Sequence, residues 1–382
     1  MFLVQVRDSW FTVRGFAEAG TNNPEPRTSN VNQEHEPGTR NAEPGTTRFY
    51  NPLVTIRTSA PTRIDLAGGT IDIWPLYLFH PGAQTLNAAI SLRANARIDP
   101  RSDSRITIKS IDTNAVVEAE DWRELRDVRQ LRLLCLLVHF FEARGLTLTT
   151  TSESPAGAGI AGSSALNVAV CAALAEYKRT HYEPEALLQI AMNVEAQAIA
   201  VPTGLQDYRP ALYGGIAAIE LEADGVRRVP LDVDLGELQR RIVLCYTGEP
   251  RNSGTNNWEI TKRHIDGDRF IFDCFERIRD TAASMRIALA AGDWDQVGRA
   301  IGEEWDNRKR LAPGVTTPAI DDLIARARAA GATAAKVCGA GGGGCLFCYG
   351  APSAREAIRT ALVDGGARLL DYAFERHGLG RG

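Results

Sequence analysis

Residues 155–165 read PAGAGIAGSSA, and this stretch decides the architecture of the chain. Gly157 and Gly159 allow backbone N–H groups to approach a ligand closely, and Ser163 opens a strong helical pattern. A glycine-rich turn that leads into a helix N-terminus favours anions, because unpaired N–H groups and the helix dipole both attract negative charge. The same composition is typical of close helix packing, so both interpretations stay open at this point.

The stretch is not a Walker phosphate loop, since the chain contains no G-x-x-x-x-G-K-[ST] motif. Small apolar residues follow the glycines and continue as a helix, so phosphate oxygens would lie at the positive end of its dipole. The hydroxyl of Ser163 is a candidate magnesium ligand, because Mg²⁺ combines a few protein oxygens with water and phosphate. The sequence therefore indicates phosphate chemistry.

Two further segments, rich in glycine or bearing carboxylates, lie far from the first one along the chain. Residues 61–72 read PTRIDLAGGTID, and residues 336–345 read KVCGAGGGGC. The glycine run lies between two apolar, strand-like segments, which argues against a flexible linker. A turn without side chains can pack closely against a phosphate loop and a substrate pocket.

Composition excludes several classes of protein. With 382 residues, the chain is long enough for two or three domains, and its net charge of -4 argues against a dedicated nucleic-acid binder. The longest apolar stretch, residues 131–143, is too short for a bilayer span and contains Arg132 and His139. Seven cysteines, mostly in apolar segments, predict buried thiols and a cytoplasmic protein. Cys345 and Cys348 have a C-x-x-C spacing, but no second pair completes a zinc site.

Patterning predicts an α+β protein with a disordered tail, residues 1–50, and two domains, residues 51–235 and 236–382. Alternating or clustered apolar residues predict strands, with a break at Pro61 between the first two: 53–59, 63–66, 105–110, 146–151, 213–221 and 242–246. Helical periodicity predicts helices within 128–144, 163–179, 184–200, 257–291 and 320–330. The hydrophilic stretch 222–237 is the predicted divider between the domains.

These motifs resemble those of the GHMP small-molecule kinases, whose central motif reads P-x-G-x-G-L-G-S-S-A. Four positions match it without a gap: Pro155, Gly157, Gly159 and Ser163. The departures include Ile160, Ala161 and Gly162. The resemblance covers about residue 58 to the C-terminal region and implies a ribosomal-S5-like N-terminal domain, a ferredoxin-like C-terminal domain and an active site in the cleft between them.

The resemblance also implies ATP and Mg²⁺ as cofactors and assigns roles to particular residues. The nucleotide would contact Pro155, Gly157, Ala158, Gly159, Ala161, Gly162, Ser163 and Ser164, and Ser163 and Glu195 would hold the metal. Asp207 is the implied catalytic base, and Arg63 would lie near the reacting oxygen as a charge stabiliser. The implied substrate contacts are Asp72, Gly69, Thr70, Gly341 and Gly342. Ordinary alternatives stay open, namely a turn or helix cap for Asp72 and a solvent-facing helical position for Glu195.

The substrate segment 61–72 and the later Gly204–Asp207 region are most similar to the heptose 7-phosphate kinase branch of that superfamily. This similarity implies a sugar or sugar-phosphate acceptor, phosphorylated at an anomeric hydroxyl, and no nucleic-acid or membrane partner. Galactose, fucose, a uronic acid or mevalonate are alternative acceptors. A sugar-binding sensor without turnover is the alternative from another class, and a homodimer is left open as the assembly.

Overall fold

The computed structural model describes residues 2–6, 9–13, 54–250 and 253–382, except for the side chains of residues 2–6, 9–13 and 253–256. The chain divides into two units, Met1–Phe49 and Tyr50–Gly382. Within the first unit, strand β1 (Phe2–Val6) pairs antiparallel with strand β2 (Ser9–Val13). The rest of the predicted tail, for which disorder stays a prediction, lies outside the described residues.

The second unit contains twelve described strands and ten described α-helices. In chain order the strands are β3 Ile56–Ala67, β4 Gln84–Pro100, β5 Ile106–Ser110, β6 Ala115–Ala119, β7 Leu146–Ser152, β8 Ile216–Glu222, β9 Gly225–Pro230, β10 Ile242–Tyr246, β11 Ala332–Val337, β12 Cys345–Gly350, β13 Arg368–Leu369 and β14 Gly380–Arg381. The helices are α1 Arg132–Phe140, α2 Gly162–Tyr177, α3 Pro184–Ile199, α4 Tyr208–Tyr213, α5 Leu235–Arg241, α6 Ser253–Ile265, α7 Arg269–Ala291, α8 Trp294–Arg308, α9 Pro318–Ala329 and α10 Arg355–Asp364.

The larger sheet has the strand order β14-β3-β4-β7-β5-β6, and β8 and β9 branch from β4. This branching is possible because β4 spans 17 residues and pairs with β8 along its first part and with β7 along its last part. The break predicted at Pro61 is wrong, since β3 is one strand that runs from Ile56 to Ala67. A register shift between Pro61 and Thr62 accommodates the proline, which has no N–H to donate to the ladder.

Helix α2 is the central helix of this half and packs on β3 and β4. Its sequence, GSSALNVAVCAALAEY, is small or apolar on nearly every side, which is the pattern of a helix buried all round. The small side chains allow a close approach to the sheet, where the hydroxyl of Thr58 donates to the Ala169 carbonyl at 2.7 Å. The helix predicted from residue 163 to residue 179 is therefore confirmed to within two residues at its end.

The smaller sheet has the order β11-β12-β10-β13, and all its pairs are antiparallel. Its elements follow one another as strand, helices, strand, strand, helix, strand, with α6 to α9 after β10 and α10 after β12. The first strand of this half along the chain, β10, lies between the third, β12, and the fourth, β13. This order is the ferredoxin-like arrangement. The expected ferredoxin-like second half is present.

The chain returns to the larger sheet at its end. Strand β14 pairs with β3, the Glu375 N–H donates to the Ala89 carbonyl at 2.9 Å, and the Ser91 N–H donates to the Ala373 carbonyl at 2.8 Å. The hydrophilic stretch 222–237 is also not a plain divider, because it contains β9, which pairs with β8. The boundary predicted at residue 235 stays a prediction, but strand β14 and the bridge between Phe374 and Ile90 place parts of the C-terminal segment on the larger sheet.

All seven cysteines are buried, as the sequence predicts. Burial raises the pKa of the Cys348 and Cys245 thiols, which keeps these groups protonated. Across residues 54–250 and 253–382, none of the helices has the length and apolar character needed to cross a bilayer.

Candidate active site

The glycine-rich turn of residues 155–161 leads directly into α2. Gly157 and Gly159 have φ angles of 68° and 78°, and Ala161 caps the helix in the left-handed region at φ 61°. A residue other than glycine is uncommon in the left-handed region, and such residues cluster at ligand-binding and active sites. All eight predicted nucleotide contacts lie in this turn or in the first turn of a 16-residue helix, so the geometry suits an anion.

The glycine run of residues 339–344 packs on this turn, which confirms the packing expected from sequence. The Cys345 N–H donates to the Ala158 carbonyl at 2.6 Å, and a Cβ at Gly344 would lie only 2.7 Å from the same oxygen. Gly342 instead donates its N–H to the Val315 carbonyl at 2.8 Å, and Gly341 packs against the same residue. The predicted substrate contacts Gly341 and Gly342 therefore face residue 315.

Arg63 and Asp207 form an ion pair beside the turn. The Arg63 Nη2 and Nε atoms both donate to Asp207 Oδ1, at 2.5 Å and 3.1 Å, and Nη1 donates to the Gly159 carbonyl at 3.0 Å. The arginine side chain is 1% exposed, whereas Asp207 is 20% exposed. The arrangement holds one carboxylate oxygen against the arginine and leaves the other available to a ligand.

Asp72 lies in the same cavity as this ion pair, together with Thr70, whereas Gly69 packs against the Arg308 guanidinium. Asp72 is buried, and its Oδ2 accepts the Gln206 N–H at 2.9 Å. It lies in a turn that follows β3, so the alternative of a turn residue stays open. Burial, and secondarily the nearby Asp207, raises the pKa of Asp72 from 3.8 to about 6. The structure therefore holds a costly buried carboxylate without a hydrogen-bond partner for Oδ1.

We expect Asp72→Asn to stabilise the protein by about 3 kcal/mol at pH 7.5 in the absence of sugar, because two pKa units of burial penalty disappear. The folded state binds more protons than the unfolded state between pH 3.8 and about 6, so wild-type stability falls as pH rises through that window. Urea unfolding of variant and wild type across that range measures the difference, which should grow from near zero at low pH.

The control is Asp224→Asn, which changes a carboxylate that is 76% exposed and pairs with Arg227. This control should shift stability by no more than about 0.5 kcal/mol at any pH. A difference between Asp72→Asn and wild type that does not vary with pH would contradict the assigned cause.

Ser163 and Glu195, the two predicted metal ligands, are in contact. The Ser163 hydroxyl donates to Glu195 Oε1 at 2.7 Å, and the Ser164 and Tyr208 hydroxyls donate to Oε2 at 3.1 Å and 2.7 Å. Glu195 is buried, so the solvent-facing alternative is excluded, and burial raises its pKa despite the serine hydrogen bond. The described residues contain no cluster of three His, Cys, Asp or Glu suited to a metal, and a hard cation with few protein ligands fits this oxygen pair.

A buried ionic cluster behind the site was not predicted. Asp65 lies 3.2 Å from Lys336 and 3.3 Å from Arg308, and Glu304 lies 2.5 Å from Arg308 and 3.0 Å from Lys336. All four side chains are at most 1% exposed. The three cations nearby, with Arg63 as the third, hold the pKa of Asp65 well below its usual range against the effect of burial. Two features of the sequence could have indicated this cluster. Asp65 and Lys336 are charged residues within apolar strands, and Glu304 and Arg308 have the i,i+4 spacing of an ion pair on a helix.

Comparison with known proteins finds two family matches. Residues 129–215 match the GHMP kinases N terminal domain, and residues 285–367 match the GHMP kinases C terminal family. The first match includes the glycine-rich turn, Glu195 and Asp207, and the second includes most of the ionic cluster and the glycine run.

Individual relatives share most of the chain. The D-glycero-alpha-D-manno-heptose 7-phosphate kinase of Campylobacter jejuni is 29% identical over 339 residues, which is 86% of this chain and 98% of that protein. The L-fucokinase/L-fucose-1-P guanylyltransferase of Bacteroides fragilis is 26% identical over 84% of this chain but 38% of its own length. The crystal structure of a D-glycero-D-manno-heptose 1-phosphate kinase from Bacteroides thetaiotaomicron superposes with a TM-score of 0.70 at 25% identity, covering 86% of this chain and 98% of that one.

Proposed function

The chain belongs to the GHMP kinases, which are ATP-dependent, and from this premise we propose that it phosphorylates a hydroxyl group of a sugar or sugar phosphate. Relatives named as heptose phosphate kinases and a fucokinase support a sugar as acceptor. We propose a heptose 7-phosphate or a close analogue, phosphorylated at its anomeric hydroxyl.

One observation carries this proposal. The Arg63 guanidinium bridges the Asp207 carboxylate and the carbonyl of Gly159 in the glycine-rich turn. A proton acceptor is thereby fixed next to the place where phosphate would bind. Positioning and electrostatic stabilisation supply nearly all of the catalysis in phosphoryl transfer, so this juxtaposition is the feature a kinase requires.

The proposed reaction uses Asp207 as the general base. The acceptor hydroxyl gives its proton to the free carboxylate oxygen, and the hydroxyl oxygen forms a bond to the γ-phosphorus of ATP. The bond between that phosphorus and the β,γ-bridging oxygen breaks, and ADP leaves with the bond electrons. Arg63 holds Asp207 in position and places positive charge beside the transferring group.

We propose that Ser163 and Glu195 hold Mg²⁺ when nucleotide is bound, because their oxygens meet at 2.7 Å at the start of α2. Such an ion supplies positive charge to the phosphate oxygens. The buried, cation-free environment of the Glu195 carboxylate fits this role, since its described partners are two serines, a tyrosine and Asn167. The seven reduced cysteines suit a cytoplasmic enzyme of carbohydrate metabolism.

The test is ADP release by the purified protein with Mg-ATP and a panel of sugars. D-glycero-D-manno-heptose 7-phosphate is the expected substrate, and galactose, L-fucose, glucuronate and mevalonate are the comparison compounds. We expect turnover with the heptose phosphate and a product phosphorylated at the anomeric carbon, as read by ³¹P–¹H correlation spectra. Absence of turnover across the panel, with ATP binding intact, would favour a sugar-binding sensor instead.

A further inference from the structure

Three side-chain oxygens with no hydrogen-bond partner converge on the cavity beside Asp207. Among the described residues, Asp72 Oδ1, Gln206 Oε1 and Asn257 Oδ1 are all buried without a partner, and all three residues line this one cavity. Asp72 is 1% and Gln206 5% exposed. Buried polar atoms are nearly always paired, so three orphaned acceptors in one place indicate a ligand that pairs with them.

The three acceptors come from separate segments of the chain. Asp72 is fixed by the Gln206 N–H at 2.9 Å and by the close approach of Gly204, where a Cβ would lie 2.3 Å from Asp72 Oδ2. Gln206 immediately precedes Asp207, and Asn257 comes from α6, in the other half of the molecule. The site is therefore built from both sequence halves around the reacting group.

The charges of the described lining residues restrict what the cavity can bind. Arg63 contributes +1, and Asp72 and Asp207 contribute -1 each, which gives a net charge of -1. The arginine is already committed to Asp207 and to the Gly159 carbonyl. A carboxylate or phosphate in this space would meet two carboxylates and no free cation, so the bound group must be neutral and rich in hydroxyls.

We propose that Gln206 and Asn257 are specificity-determining residues that, with Asp72, accept hydrogen bonds from hydroxyls on the reacting end of a neutral polyol ring. A hydroxyl both donates and accepts, so it pairs with either atom of a side-chain amide. Any phosphate or carboxylate of the substrate lies outside this cavity. This assignment rests on the proposed sugar kinase function and identifies its substrate class at the acceptor end.

The experiment compares Gln206→Met and Asn257→Leu, which keep side-chain size but remove the acceptor, with wild type. Gln189→Met, a change of an exposed glutamine on α3 that bonds Asn193, is the matched control. Calorimetry measures the binding of D-glycero-D-manno-heptose 7-phosphate and of L-fucose in the presence of ADP, and steady-state assays measure the KM of each sugar and of ATP.

We expect each of the two variants to weaken sugar binding about tenfold or more, because a sugar hydroxyl loses its partner in a buried site. The ATP KM and the control should change by less than about twofold. The penalty should disappear for the monodeoxy sugar that lacks the matching hydroxyl, which a merely structural role would not produce.

Unchanged sugar affinity in both variants would overturn this inference while leaving the kinase function intact. Sugar binding by wild type without turnover would instead overturn the proposed function, and the variants would still test the acceptors by calorimetry. If wild type binds none of the sugars, the polyol assignment is wrong. A misfolded Gln206→Met leaves Asn257→Leu, with Asn257→Asp as the variant that retains an acceptor and should retain binding.

Discussion

Asp207→Asn is expected to lower kcat about 10²- to 10⁴-fold, the usual contribution of a positioned general base, while ATP still binds. Asparagine keeps an oxygen that can accept from Arg63 but cannot take the proton of the sugar hydroxyl. Arg63 also keeps an anionic neighbour, since Asp65 lies 3.7 Å away, so the variant should fold. Single-turnover transfer from γ-³²P-labelled ATP measures the chemical step, and fluorescent nucleotide binding measures ATP affinity.

Two controls identify the cause of a loss. Asp224→Asn makes the same chemical change on an exposed turn and should leave kcat unchanged. Arg63→Lys keeps a positive charge but loses the two-pronged geometry that fixes Asp207 and the Gly159 carbonyl, so it should lower kcat without abolishing it. Unchanged turnover in Asp207→Asn would remove this residue from the mechanism.

Sequence patterning predicted the helices and strands whose burial follows from their own local sequence. Helix α2 has a continuous small and apolar sequence, and β10 is an unbroken apolar run, so both were predicted with nearly the right ends. Strand β4 was missed because its first seven residues are buried on both faces and the next ones only on one, which leaves no regular alternation. Long-range pairing with three other strands, which patterning does not contain, determines that burial.

Helix α8 was missed for a different reason. Its buried face carries Glu304, Asn307 and Arg308, and sequence reasoning assigns such residues to the surface. Their partners Asp65 and Lys336 are 239 and 32 positions from Glu304, so only the folded chain brings them together. Burial of charged groups is tolerated when they are paired, and it is this pairing that the sequence does not reveal.

The candidate site also combines a feature that the local sequence predicts with contacts that only the folded chain forms. The glycine-rich turn is local and was assigned from its own residues, whereas the contact of Arg63 with Asp207 joins positions 144 apart in the chain. Resemblance to a known family supplied that pair in advance. It did not supply the orphaned oxygens of Gln206 and Asn257, which become apparent only when the cavity and its hydrogen bonds are seen together.

Asp65→Asn is expected to lower the free energy of unfolding by about 3–5 kcal/mol, the usual cost of breaking a buried ion pair from one side. Asp65 forms ion pairs with three buried cations, namely Lys336, Arg308 and Arg63, at 3.2, 3.3 and 3.7 Å. Its Oδ1 also accepts the Gly339 N–H at 3.0 Å, which fixes the glycine run against β3. The variant should therefore lose ATP affinity as well as stability.

The pH dependence separates this electrostatic cause from a loss of packing. The pKa of Asp65 is held below its ordinary value of 3.8, so its stabilisation is present above pH 3.8 and is lost as pH falls towards the folded-state value. Urea unfolding should accordingly show wild type and Asp65→Asn converging as the pH is lowered below about 4. Asp322→Asn removes the exposed partner of Arg326 and should cost at most about 1 kcal/mol. A cost that small for Asp65→Asn, or a cost independent of pH, would mean that the cluster does not hold the two sheets of the site together.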